Sequence, residues 1–139
     1  GFFLCYYMIV KRTNTDVISD LGGIASVAPR LAVIFLIIVL ANVALPLTNS
    51  FAGEFLILMG LFQFNKALAI IAGLTIIFGA VYMLKMYQKV MYGPRTEATE
   101  HFEDLSISEV LLFVPIIISI FWIGISPSFV LQMLEGVVK

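Results

Sequence analysis

Charge is what this sequence has least of. Only 12% of its 139 residues are Asp, Glu, Lys or Arg, about half the share of an ordinary soluble domain. With 61% hydrophobic residues and a mean hydropathy of +1.07, a water-soluble fold of this length would expose too much apolar surface to stay dispersed. The net charge of −1 argues against nucleic-acid binding and against a basic membrane-surface protein. The acidic surplus is local, between Glu97 and Glu109. The single cysteine, Cys5, excludes an internal disulfide and lies in an apolar run, where a thiol behaves as a small hydrophobe. The single histidine, His101, sits in the acidic loop with no second histidine to build a metal site. Phosphate-binding loops, nucleophile elbows and paired metal-binding cysteines are all missing.

What is present is hydrophobic length. Leu31–Phe64, Ala67–Tyr92 and Ile107–Leu131 are long apolar stretches, separated by Asn65-Lys66 and by the polar segment Gly93–Ser106. The alternating polarity of a membrane barrel strand is absent, so the expected fold class is all-α, with polytopic transmembrane helices. Gly1–Val10 is apolar too, but ten helical residues reach only about 15 Å, half of a hydrocarbon core of about 30 Å. Lys11 and Arg12 follow that run, whereas a signal peptide carries its positive charge first. The run reads as the tail of a transmembrane helix that starts before Gly1.

Ala67–Tyr92 would span about 39 Å as helix, enough to cross with some tilt. Ala69, Gly73, Gly79 and Ala80 are small residues expected to permit close helix packing. Lys85 and Lys89 share a face near Tyr82, Tyr87 and Tyr92, the pattern of snorkelling lysines in an interfacial aromatic belt. An auxiliary functional charge at Lys85 is the alternative. Ser106 and Glu109 form an S-x-x-E capping box before the last apolar run, a helix-start signal. Pro115 is a candidate kink, and Trp122 and Pro127 suit the far interface.

Leu31–Phe64 is too long for one straight crossing, and Leu45-Pro-Leu-Thr-Asn-Ser50 interrupts it. Pro46 removes a backbone donor and disfavours helix at Leu45, while Thr48, Asn49 and Ser50 are all able to cap a new helix. Two half-helices follow, forming either one broken crossing or a hairpin of two short ones. Charge decides between them. A broken crossing puts Lys11, Arg12, Arg30, Lys85, Lys89 and Arg95 on one side, against Lys66 and Lys139. The hairpin divides the same eight basic residues five to three. The positive-inside rule favours six to two and a cytoplasmic position for the two long loops. The expected organisation is one transmembrane region, 1–139: a helix end at 1–10, half-helices at 29–46 and 51–64, and full helices at 67–92 and 107–131.

Glu54 is the only acidic residue within the spans, and is expected on the first turn after the break. A carboxylate in hydrocarbon is costly, so such a residue faces a bundle interior or a water-filled cavity. A broken helix supplies unpaired backbone groups and room for water at membrane depth. The helix N-terminus favours the ionised form and desolvation the protonated one, opposing pushes that suit a proton carrier. A purely structural role, capping the half-helix near an interface, is the competing reading.

Leu45–Gly60, LPLTNSFAGEFLILMG, strongly resembles the discontinuous helix near the C-terminal end of the antiporter-like M-subunit family (chain 4 in mitochondrial naming) of proton-pumping NADH:quinone oxidoreductase, respiratory complex I. Gly22–Ala32, GGIASVAPRLA, and Gly79–Gly93, GAVYMLKMYQKVMYG, are similar to the flanking stretches of the same family. The resemblance covers essentially the whole chain and implies the end of an eleventh helix, a broken twelfth, and two more. Gly53-Glu54-Phe55 discriminates, because sister antiporter-like subunits and multi-subunit cation/proton antiporters usually carry lysine at the matching position.

The resemblance implies that Glu54 ends a charged relay along the membrane and exchanges protons with the periplasmic side. It also implies a membrane-embedded subunit of a translocase that couples NADH oxidation by quinone to proton pumping. This stretch would supply the exit half of a channel and would not be catalytic by itself. The chain is expected to bind no cofactor, NAD and quinone being used by the whole complex. Its expected partners are the other membrane subunits, including the sister antiporter-like ones, and the lipid bilayer, with no nucleic acid. A bacterial inner membrane is the expected location. The alternative is a subunit of a cation/proton antiporter without redox coupling.

The charge split yields a topology test. Cysteines introduced one at a time in 93–106 and at Lys139 should be labelled by a membrane-impermeant thiol reagent from opposite sides of the membrane. Labelling from one side at both sites would overturn the broken crossing.

Overall fold

The computed structural model describes residues 1–128. Among these there are five α-helices and no strands: α1 (Phe2–Thr13), α2 (Pro29–Asn42), α3 (Asn49–Phe64), α4 (Lys66–Met91) and α5 (Ile107–Ile125). Short 3-10 turns lie at Ile18–Asp20, Ile24–Ser26 and Glu97–Thr99. Two helices, α4 and α5, are long and apolar enough to cross a membrane, and α2 is a shorter apolar helix.

The core gathers around α2. Its Leu31, Phe35, Ile38 and Val39 are buried against Cys5, Met8 and Ile9 of α1, Tyr87 and Met91 of α4, and Phe113 of α5. Phe35 stacks between Phe2 and Tyr87, with ring centroids 5.7 and 5.6 Å away. The Tyr87 hydroxyl donates to the Ala32 carbonyl at 3.0 Å, which satisfies a buried phenol and ties α4 to α2. By contrast α3 buries no residue, and Phe55, Ile57, Ile70, Ile71 and Phe78 stand exposed on α3 and α4. Apolar side chains turned outward along whole helices match a lipid or protein environment, not water.

The order of contacts along α4 settles how α2 and α3 are arranged. Tyr87 meets Ala32, near the start of α2. One turn and more away, Gly79 and Met83 face Asn42 and Val43 at its end. Farther on, Ala69 and Gly73 face Phe55, Met59 and Phe62 of α3. The two half-helices therefore follow one another antiparallel to a single α4, as one broken crossing and not a hairpin.

The break is longer than expected and lies nearer the N-terminus: residues 43–48 separate the half-helices, where 47–50 was expected. α2 ends at Asn42, not at residue 46. The ring of Pro46 would collide with the carbonyl four residues back, which is that of Asn42. The end itself is a Schellman motif: Leu45 N–H bonds Leu40 O (3.1 Å) and Ala44 N–H bonds Ala41 O (3.4 Å), with Ala44 left-handed at φ 53°. Leu47 is left-handed too, at φ 78°. Two non-glycine residues in that region carry about 1–2 kcal/mol of strain each. α3 then starts at Asn49, two residues earlier than expected.

The other boundaries shift modestly. α1 continues past residue 10 to Thr13, because Arg12 reaches back to Met8 O (3.3 Å) and Asn14 closes the helix in the left-handed region. Lys66 belongs to α4, which Asn65 caps by accepting from Ala67 N–H (2.9 Å) and Leu68 N–H (3.4 Å). The Ser106–Glu109 box caps α5, and α5 runs unbroken through Pro115 to Ile125. Residues 129–131 of the expected last helix, and Lys139, lie outside the described residues.

At one end the loops close on each other. Gly22 and Gly23 make room for Gly93–Arg95, since a Cβ at Gly22 would come within 2.6 Å of the Pro94 carbonyl. Thr96 and Thr99 hydroxyls donate to Asp20 O (2.6 Å) and Gly22 O (2.8 Å). Asp104 accepts from Arg30 N–H (3.1 Å) and Leu31 N–H (3.2 Å), capping α2 from a distant loop. Arg12 grips both carboxylate oxygens of Glu109 at 2.8 and 2.7 Å, joining the end of α1 to the start of α5.

Close helix packing comes from a glycine other than those expected. Among the described residues a Cβ at Gly73 or Gly79 meets nothing within 4 Å, whereas at Gly124 it would strike the Leu47 carbonyl and come within 2.6 Å of Thr48 C. Gly124 lets α5 lie directly on the backbone of the break. Gly124→Ala should therefore destabilise the full-length protein by about 1–3 kcal/mol, while Gly73→Ala leaves it unchanged or slightly more stable. Thermal unfolding of the two variants in detergent micelles checks this, and equal behaviour would refute the contact.

Candidate functional site

Glu54 lies in α3, but not on its first turn. The helix starts at Asn49, and its first turn contains no acidic residue. Thr48 occupies the N-cap position without capping. Its side chain is buried at 2% exposure, and its hydroxyl donates to Leu45 O at 2.7 Å, stapling the break instead. The first N–H groups of α3 thus have no side-chain acceptor. Among the described residues Glu54 makes no hydrogen bond to the start of α3. Its distance from the helix end also weakens the dipole contribution, which falls off within the first turn.

The carboxyl instead lines a recess of about 300 Å³ formed where the crossing breaks. Asn42 and Val43 of the end of α2 form one wall, and Thr75, Gly79, Tyr82 and Met83 of α4 the other. Glu54 is half-buried. Among the described residues it makes no ion pair, the single pair there being Arg12–Glu109. A recess of that size holds several waters at about 30 Å³ each, and its hydroxyl, amide and carboxyl groups supply their partners. The arrangement gives the carboxyl access to water within the bundle.

Lys85 does not enter this recess. It is exposed one turn closer to the loops, in a second recess with Lys89, Met86, Ser19 and Tyr82. Lys85, the expected auxiliary charge, shares with the recess of Glu54 only Tyr82. His101 is exposed in its loop, Cys5 is buried, and among the described residues no cluster of His, Cys, Asp or Glu could hold a metal ion.

The sequence reading missed three polar neighbours of Glu54: Asn42, Thr75 and Tyr82. Asn42 donates its amide N–H to Ile38 O at 3.1 Å and lines the recess. Thr75 and Tyr82 are seven residues apart on α4, two helical turns on one face. That spacing was the one available signal.

Comparison with known proteins agrees with this geometry. The model of the family described as NADH:quinone oxidoreductase/Mrp antiporter, TM, matches residues 1–79, which include α1, the whole broken crossing and Glu54. A protein named NADH-quinone oxidoreductase subunit M, from Rickettsia typhi, is 42% identical over 134 residues, covering 96% of this chain and 27% of that relative. NADH-ubiquinone oxidoreductase chain 4 of Marchantia polymorpha is 41% identical over 136 residues, 97% of this chain and 28% of its own length. The Arabidopsis thaliana chain 4 is 38% identical with the same coverage. The chain spans a little over a quarter of the length of these relatives. A family model matched across more than half of the sequence, on the same helices that frame Glu54, places the chain in the transmembrane family of NADH:quinone oxidoreductase and Mrp antiporter subunits, to which it belongs.

Proposed function

We propose that this chain is proton-carrying machinery of subunit M of NADH:quinone oxidoreductase, the translocase that couples electron transfer from NADH to quinone with proton pumping. The observation that carries the reading is the half-buried, unpaired Glu54 in a polar recess at the break of a crossing helix. Names of the relatives support the enzyme complex, and glutamate at this position, where sister subunits resemble a lysine version, supports the M subunit among the members of the family. Glu54 is the group that takes up and releases the proton. Lys85 is an auxiliary charge at most, since it stands outside the recess.

The electron-transfer chemistry belongs to other subunits: NAD and quinone serve the whole complex, and this chain binds neither. Its partners are the remaining membrane subunits, including the sister antiporter-like ones, together with lipid. Its setting is the bacterial plasma membrane, with the two long loops on the cytoplasmic side. The second reading, a subunit of a cation/proton antiporter, has the family description in its favour. Inhibitor-sensitive NADH oxidation by membranes carrying the full-length protein separates the two.

The test is a single substitution in the full-length subunit. Glu54→Gln keeps size and hydrogen bonding but removes the titratable proton. NADH-driven proton uptake in inverted vesicles, normalised to assembled complex, should fall by at least about tenfold, since positioned proton transfer ordinarily contributes ~10²–10⁴. Glu54→Asp should keep part of the activity, its acid being one methylene shorter. Wild-type pumping by Glu54→Gln would leave the carboxyl without a transport role.

A further inference from the structure

Three recesses of this molecule meet at one side chain. Tyr82 lines the recess of Glu54, the recess of about 340 Å³ that holds Lys85 and Lys89, and a third of about 200 Å³ beside Asp16 and Tyr6. Its position on α4 is part of a pattern. Thr75, Tyr82, Lys85 and Lys89 follow one another at intervals of seven, three and four residues, which puts them on one face of an otherwise apolar helix. That face runs from the break to the end where the loop at 18–26 packs on 93–99.

Two tyrosines one turn and more apart on α4 have opposite fates. Tyr87 is buried and its hydroxyl is committed to Ala32 O. Tyr82 is 68% exposed, and among the described residues its hydroxyl makes no hydrogen bond. A phenol both donates and accepts, so an uncommitted one between two polar recesses is able to pass a proton without changing its own charge. Among the described residues, Tyr82 is thus a polar side chain without a structural partner on an otherwise apolar helix.

We propose that Tyr82 is the relay through which Glu54 exchanges protons with the loop face. A proton from water on the Lys85 side is accepted by the Tyr82 oxygen as the phenol passes its own proton, directly or through water in the recess, to the Glu54 carboxylate. Glu54 ends as the neutral acid and Tyr82 is regenerated neutral, so one proton has moved and no electron has. The family resemblance implies exchange between Glu54 and the opposite side of the membrane. A carrier must meet both sides in turn, and the Tyr82 route supplies the arm toward the loops. This inference rests on Glu54 being the proton carrier.

The experiment uses the full-length subunit in its assembled complex, in inverted vesicles, with Tyr82→Phe, Tyr82→His and Glu54→Gln side by side. Phenylalanine keeps the ring and loses only the hydroxyl. Tyr82→Phe should assemble normally and lose proton uptake by at least about tenfold, relay assistance being ordinarily worth ~10²–10⁴. Tyr82→His, which restores a group able to accept and donate, should recover a substantial part of that loss. Wild-type pumping by Tyr82→Phe beside an inactive Glu54→Gln overturns the relay alone. Equal losses in the phenylalanine and histidine variants also overturn it, since shape rather than proton transfer would then explain the position. Normal pumping by Glu54→Gln overturns both the relay and the reading it rests on.

Discussion

In hydrocarbon every backbone N–H and C=O needs a partner, and each feature of this chain answers that requirement. The long helices satisfy it internally. The break at 43–48 does so through its Schellman bonds and through Thr48, whose hydroxyl donates to Leu45 O. The first turn of α2 does so through Asp104, a residue more than seventy positions away in sequence. Remaining polarity is gathered in the recess of Glu54, where several waters have room.

The loop face and the break divide the mechanical roles. At the loop face, charge-assisted bonds from Arg12 to Glu109, the cap by Asp104 and two threonine hydroxyls clamp α1, α2, α4 and α5 together. Most of the buried apolar side chains sit in this half. Around the break α5 lies on the backbone of Leu47 and Thr48 through Gly124, while among the described residues α3 has no buried side chain. Two left-handed non-glycine residues store strain there. The same division explains why Tyr87 is locked and Tyr82 is not: the first sits over the core of α2, and the second has passed beyond it.

Much of this was legible in the residues themselves. Hydrophobic length and scarce charge determined an all-helical membrane chain, Pro46 followed by Thr-Asn-Ser determined a break, and the distribution of eight basic residues favoured a broken crossing over a hairpin. Each of these is a local or additive property, counted along the chain without knowing what it touches. A lone carboxyl among apolar residues is equally local, so Glu54 stood out from its cost alone.

Only the tertiary structure decided what each of these features meets. The length of the break came from a Schellman turn at Ala44, an alanine where the motif usually has glycine, so composition gave no sign of it. Thr48 had the chemistry of a cap but was drawn to Leu45 O by the left-handed turn before it. Small residues on α4 carried a packing signal that their neighbours do not use, whereas Gly124 acquired that role because α5 crosses the break at that point. Asp104 and Glu109 belonged to one acidic loop in sequence, yet one caps α2 and the other pairs with α1. The residues that share the recess with Glu54 come from the end of α2 and from α4, and no periodicity within one helix specifies which residue of another will face it.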